Sequence, residues 1–332
     1  MANTFYQDRR VLITGATGLV GGWLVKSLVA QGAELTCLVR DSVPHSLFRR
    51  EKLDARVNVV RARLEDFFEI ERTLNEYETE VVIHLGAQAI VGTANRSPMG
   101  TFNSNIRGTW NVLEACRMHD KQLQAVVVAS SDKAYGEQKT LPYTEESPLH
   151  GENPYDCSKS CADLLARCYG KTYGLPVGIS RCGNFFGGGD LNFNRIVPGT
   201  IKSALENKAP VLRSDGTYIR DYIYVKDAVS AYEFLAQNTA EKKFRGEAFN
   251  FSNENKLTVL ELTKLILKLT GKDSLKPVIK NEAKNEIHDQ HLSAKKAKEV
   301  LGWKSQWSIE KGLDETIAWY KDYLKDKKRA SA

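Results

Sequence analysis

Residues 10–22 read RVLITGATGLVGG: a short apolar run that closes on Thr14 and opens into glycines. Gly15, Gly18 and Gly21 fall in a GxxGxxG spacing, with Thr17, Leu19 and Val20 between the second and third or just before them. The stretch that follows, GGWLVKSLVAQG, has helical periodicity. A dinucleotide pyrophosphate rests against backbone amides at a helix N-terminus, and side chains at these glycine positions would block the approach or the turn. An ordinary tight turn would also use glycine. The position at the first strand-to-helix junction favours a nucleotide loop, with Gly15, Thr17, Gly18, Leu19, Val20 and Gly21 as candidate contacts.

Outward from this loop, apolar runs alternate with amphipathic stretches to about residue 182. RVLITG, ELTCLVR, VNVVRA, EVVIHLG, QAVVVAS and PVGISRC read as strands, and NSNIRGTWNVLEACRMHD as one of the intervening helices. Such alternation implies βαβ units, and the right-handed crossover rule makes the fold α/β, a doubly wound parallel sheet of the Rossmann kind. After residue 183 the chain turns Gly- and Asn-rich, and beyond 253 helical patterns dominate. We expect a dinucleotide-binding domain from residues 1–182 plus about 222–252. A smaller, mainly helical C-terminal substrate lobe would comprise about 183–221 plus 253–332.

Bulk composition bounds the function classes. The chain has 332 residues, 42% hydrophobic and 27% charged, enough for a real core and too mixed for disorder. No apolar run approaches the roughly 20 residues of a membrane helix, and MANTFYQDRR has no signal-peptide core, so a cytoplasmic protein is expected. Cys37, Cys116, Cys157, Cys161, Cys168 and Cys182 form no CxxC pair and read as reduced, mainly core-filling thiols. His288 and His291 lack partner cysteines and read as a solvated loop, so no metal is expected. The net charge of +6 is spread among acids rather than clustered, which argues against nucleic acid and suits a diphosphate substrate. The basic tail KDKKRA reads as a frayed helix end.

Three further stretches carry chemistry. CLVRD places Arg40 where an acid usually grips the NAD ribose; an Arg there can pair with a 2′-phosphate or stack on adenine, and Arg63 adds a second cation nearby. NAD and NADP both stay open. NPYDCSKSCADLL starts a helix at Pro154 and sets Tyr155 and Lys159 four apart on one face. An ammonium and a positive nicotinamide would favour the phenolate, making Tyr155 a base for a sugar hydroxyl. SSDKAYG follows the fifth strand and puts Asp132 beside Lys133, where a strand-end salt bridge is the plainest reading.

Taken in order, TGATGLVGG, SSDK and PYDCSK resemble the extended short-chain dehydrogenase/reductase superfamily. GGWL, HLGAQAIV, SSDKAYG and GNFFGGGD narrow the likeness to nucleotide-sugar 4,6-dehydratases of the CDP-glucose type. The resemblance implies a redox triad of Ser131, Tyr155 and Lys159, with Asp132 as acid and Lys133 as base for elimination. It implies a tightly bound, recycled NAD or NADP, contacted also by Leu64, Gly86 and Ala87. It places Gln88, Asn105, Asn184, Arg195 and Arg220 at a nucleotide-diphosphate sugar. It also implies a homodimer through helices near 103–119 and 155–170, with Cys161, Leu164, Leu165 and Cys168 facing the partner. Two stretches depart from the pattern: Ala62-Arg63 stands where Gly-Asp is usual, and RDYIYV is more like the epimerases. A 4-epimerase would need no acid–base pair at 132 and 133. A dinucleotide-sensing protein would need no triad.

Overall fold

The computed structural model describes residues 5–282 and 286–330. Seven strands form one wholly parallel sheet: β1 (Arg10–Thr14), β2 (Glu34–Val39), β3 (Asn58–Arg61), β4 (Val81–His84), β5 (Ala125–Ala129), β6 (Val177–Cys182) and β7 (Glu247–Phe251). Their order is β7-β6-β5-β4-β1-β2-β3, the doubly wound arrangement. Both faces are covered, so the strands read as continuous apolar runs rather than alternations; Val81, Val82 and Ile83 are all fully buried. Six strands match the runs read from sequence. The seventh, EAFNF, is supplied from far along the chain and pairs with β6.

On one face lie α1 (Leu19–Ala30) and α6 (Val225–Thr239), packed against each other, with α6 also under β5 and β6. On the other lie α2 (Phe67–Glu76), α3 (Gly108–Met118) and α4 (Pro154–Tyr173). The remainder is mainly helical: α5 (Ile196–Leu205), α7 (Val259–Leu269) and α8 (Ile309–Ala330), joined by strands of two or three residues. A capping box starts α7, Thr258 and Glu261 each bonding the other's backbone N–H. Arg50 stacks on Trp319 and Tyr323, and Lys226 on Trp23 and Trp307, fastening α8 and the loop before it to the sheet domain. Residues 325–327 of the basic tail continue α8; the side chains of 328–330 lie outside the description.

One ion pair inside the core was not legible from sequence. Arg181, in β6, is fully buried and makes a bidentate pair with Asp163 of α4 at 2.7 and 2.8 Å. The same guanidinium bonds Tyr135 Oη at 2.8 Å. This locks α4, which carries Tyr155 and Lys159, to the sheet and to the turn after β5.

Candidate active site

The nucleotide loop is shaped by contact. Gly15 sits at φ +78°, and a Cβ there would lie 2.8 Å from the Gly86 nitrogen. A Cβ on Gly21 would lie 2.1 Å from the Gly15 carbonyl oxygen. Helix α1 therefore starts hard against the turn, with no side-chain cap and no acid in its first turn. Its leading amides and positive dipole end are open to an anion. Thr17 and Leu19 are half-buried there, while the Val20 side chain points into the core, leaving its backbone as the candidate contact. Gly86 donates to Thr14 Oγ1 at 3.0 Å, which holds the Gly86-Ala87 turn, beside Leu64, above the loop. A dinucleotide fits this cradle.

Ser131, Asp132, Lys133, Tyr155 and Lys159 converge past the end of β5. Ser131 caps the short turn Asp132–Tyr135: its hydroxyl accepts from the Lys133 N–H at 3.2 Å and donates to Asp132 Oδ1 at 3.0 Å. It also shares a hydrogen bond with the Tyr155 phenol. Pro154 occupies the first turn of α4, as its sequence position predicts. Lys159 is buried and donates to the Ala129 carbonyl at 2.7 Å, and burial lowers its pKa to about 8. In the chain alone burial dominates and lifts Tyr155 to about 12, with Ser131 the largest opposing influence. The Lys159 ammonium is engaged with backbone.

Asp132 and Lys133 do not form the simple salt bridge; among the described residues no ion pair joins them. Asp132 is buried, with Oδ2 lacking any partner. Burial raises its pKa to about 6, against the attraction of Lys133 and the Ser131 bond. Lys133 moves the opposite way: burial and the Arg220 charge lower it, against Asp132, Asp156 and Glu286. A carboxyl whose pKa is raised next to an amine whose pKa is lowered is an acid–base pair in form. Asp156 is buried beside Lys133, with its own pKa raised by desolvation. It is a polar neighbour the sequence reading passed over, though its place directly after Tyr155 was the available signal.

This geometry carries a stability cost. The folded Asp132 titrates near 6 and the unfolded one near 3.8, so the folded state binds more proton between those values. Its contribution worsens as pH rises from about 4 to 6 and stays unfavourable above, on the order of 3 kcal/mol. Asp132→Asn is therefore expected to stabilise the fold by about 1–3 kcal/mol at pH near 7.5, with the gain fading toward pH 4. Thermal unfolding at both pH values checks this; an equal effect at both would contradict it.

The other sequence candidates divide. Arg195 pairs with Asp190 at 3.1 Å, and its charge reaches the Tyr155 phenol. Arg220 reaches Asp132 and Lys133 but is partly engaged, donating to the Ile219 and His288 carbonyls at 2.8 and 3.0 Å and meeting Glu286 at 3.4 Å. Asn184 is half-buried, tied by its N–H to the Asp221 carbonyl at 2.8 Å. Gln88 lines a cleft of about 360 Å³ with Arg40 and Arg63. Asn105 is buried, and its amide bonds Gln88 backbone at 2.7 and 3.1 Å and Ser158 Oγ at 2.8 Å. These bonds tie the Gln88 loop to α4. His291 is a correction, being buried with Nδ1 3.1 Å from Asp289 rather than solvated. Cys37, Cys116 and Cys182 are buried thiols, Cys157 and Cys161 are half-buried, and Cys168 is exposed.

The sequence profile described as GDP-mannose 4,6 dehydratase matches residues 12–316. The chain belongs to the GDP-mannose 4,6-dehydratase family. Membership makes it an enzyme of the nucleotide-sugar 4,6-dehydratase type, a hydro-lyase group. Within reach of that family, the chain is similar to the CDP-glucose 4,6-dehydratase of Salmonella typhimurium, 30% identical over 97% of this chain and 93% of the relative. Among solved structures it is similar to a UDP-glucose 4-epimerase of Thermotoga maritima, TM-score 0.85 and 28% identity, covering 95% and 99% of the two chains. A dTDP-glucose 4,6-dehydratase of Streptomyces venezuelae, solved with NAD bound, superposes at TM-score 0.83 and 28% identity, covering 94% and 97%. Dehydratases of the family and epimerases thus share this fold closely, and side chains must separate them.

Proposed function

We propose that this chain is a nucleotide-sugar 4,6-dehydratase that converts a CDP-glucose-like nucleotide hexose to its 4-keto-6-deoxy form. The observation that carries the reading is the opposed pair at 132 and 133, a carboxyl raised to about 6 beside a lysine pushed down. When bound, a nicotinamide dinucleotide supplies a hydride acceptor for C4, a hydride for C6 and a positive charge against the phenol. Tyr155 takes the C4 hydroxyl proton, with Ser131 holding the phenol in place. Lys159, next to Tyr155 on α4, holds the cofactor ribose. The C4 ketone acidifies C5, and Lys133 removes the C5 proton. Asp132 gives its proton to the C6 hydroxyl, which leaves as water. Arg220 and Arg195, with Asn184, hold the diphosphate, Glu286 yielding Arg220 to it.

The lobe of residues 183–221 and 253–332 carries the sugar nucleotide in this reading, and the enzyme works in the cytoplasm. It pairs through α3 and α4, where Trp110, Met118, Leu164 and Tyr173 are exposed. Of the helices in the described residues, none is long and apolar enough to cross a membrane.

A 4-epimerase is the second reading, favoured by RDYIYV and by the epimerase structure above. Incubation with CDP-, UDP-, dTDP- and GDP-glucose separates the two. The expected product is an alkali-sensitive 4-keto sugar from at least one of them. Only 4-epimers would defeat the dehydratase reading, and absence of any turnover would favour a sensor.

A further inference from the structure

We propose that the Ser131 hydroxyl carries the proton that each turnover leaves on Tyr155 back to Asp132, so that the acid–base cycle closes inside the protein. The proposal rests on the dehydratase reading above. In that reading the hydride that leaves C4 returns to C6, and the proton that Lys133 takes from C5 goes back to C5. Only two groups end a turnover changed. Tyr155 has gained the C4 hydroxyl proton, and Asp132 has spent its own on the C6 oxygen that leaves as water. Without a return path, the next substrate meets a protonated base and an ionised acid.

One hydroxyl joins the two groups. Ser131 Oγ donates its proton to Asp132 Oδ1 at 3.0 Å and accepts from the Lys133 N–H at 3.2 Å. A hydroxyl has a single proton and two lone pairs, so in the bond it shares with the Tyr155 phenol it is the acceptor. The protons then point from Tyr155 to Ser131 to Asp132, the direction the return requires. In the transfer the Tyr155 O–H bond breaks as a new Ser131 O–H bond forms, and the original Ser131 proton forms the O–H bond of Asp132. Atoms and charge balance, the phenol becoming the phenolate and the carboxylate the acid. The phenol sits at about 12 in the chain alone, and the positive nicotinamide supplies the charge that favours its losing the proton.

The spacing between the two ends is fixed from both sides. Ser160 of α4 donates to the Ala134 carbonyl at 2.8 Å, tying the helix that carries Tyr155 to the turn that Ser131 caps. Tyr135, at the end of that turn, accepts from Arg181 at 2.8 Å. Asp132 is buried, which keeps bulk water from its carboxyl. Its Oδ2 has no partner among the described residues, so a half-turn about Cβ–Cγ can bring the received proton to the C6 hydroxyl.

The test is rapid-mix product formation by the holoenzyme with whichever of CDP-, UDP-, dTDP- and GDP-glucose it dehydrates. Ser131→Ala should make its first equivalent of 6-deoxy product per site and then slow at least about tenfold, because the next proton must come from solution. Raising a small buffer acid at fixed pH and ionic strength should speed those later turnovers about threefold or more and leave the first unchanged. Ser131→Thr keeps the hydroxyl and should turn over within about threefold of the unaltered enzyme, with no buffer response in either. First and later turnovers falling by the same factor in Ser131→Ala, with no buffer response, would overturn the proposal and leave Ser131 a holder of the phenol only. A buffer response in the unaltered enzyme would overturn it as well, by making solution the proton source, and this arm decides even if Ser131→Ala folds poorly. In both of those outcomes dehydration continues and the dehydratase reading stands. No 6-deoxy product from any of the four sugars would sink the reading and this inference together.

Discussion

Replacing Lys133 by Met or Asp132 by Asn is expected to lower formation of the 6-deoxy sugar by about 10²–10⁴-fold while C4 oxidation continues. Lys133 is the only cation in the Ser131–Tyr135 turn, and burial with Arg220 nearby lowers its pKa. Met preserves its length and half-buried packing but cannot take the C5 proton. Asn preserves the Ser131 hydrogen bond at Asp132 but has no acidic proton for the C6 hydroxyl. In either variant the hydride taken from C4 has no acceptor at C6. Single-turnover mixing with substrate should therefore show reduced nicotinamide accumulating instead of a transient. Normal yields of 6-deoxy product from both variants would remove these residues from the elimination.

The pair also dictates a pH profile. The productive form, Asp132 protonated and Lys133 neutral, carries one proton, as does its tautomer with the charges reversed. Between the two pKa values the productive fraction is constant. Below about 6 the pair gains a second proton and the base is lost; above the lowered lysine pKa the acid is lost. The dehydration rate should be bell-shaped, with its acid limb near pH 6, and Asp132→Asn should remove that limb.

Tyr155→Phe is expected to have a loss of similar size, about 10²–10⁴-fold, but at the earlier step. The phenol sits at about 12 in the chain alone, so its role as base depends on the positive charge the cofactor brings beside it. Phe keeps the packing at the start of α4 and removes only the oxygen bonded to Ser131. No reduced nicotinamide should form with substrate, in contrast to the position 132 and 133 variants. Reduced nicotinamide at the normal rate in Tyr155→Phe would mean another group accepts the C4 proton.

The sheet was legible because buried parallel strands have to be continuous apolar runs, and LTCLV or VVVA admits few other readings. EAFNF was harder: it is short, starts on a Glu and holds an Asn as its fourth residue, so periodicity alone does not single it out. The site's positions could be read because ligands in such sheets bind past strand C-termini, where SSDK and the glycine loop fall. Their electrostatics could not. Whether Lys159 acts on Tyr155 depends on where its ammonium points, and it points at the Ala129 carbonyl. Asn105 turned inward and His291 became buried through contacts with distant segments that no local pattern encodes. The Arg181–Asp163 pair likewise joins two elements eighteen residues apart, which no local pattern encodes.

The most direct test of the dehydratase account follows one atom. CDP-glucose carrying deuterium at C4 is incubated with the enzyme in ordinary water and the product is analysed by NMR. The account predicts a 4-keto-6-deoxy sugar with the deuterium in the C6 methyl group. A 4-epimer that keeps its deuterium at C4 would contradict it.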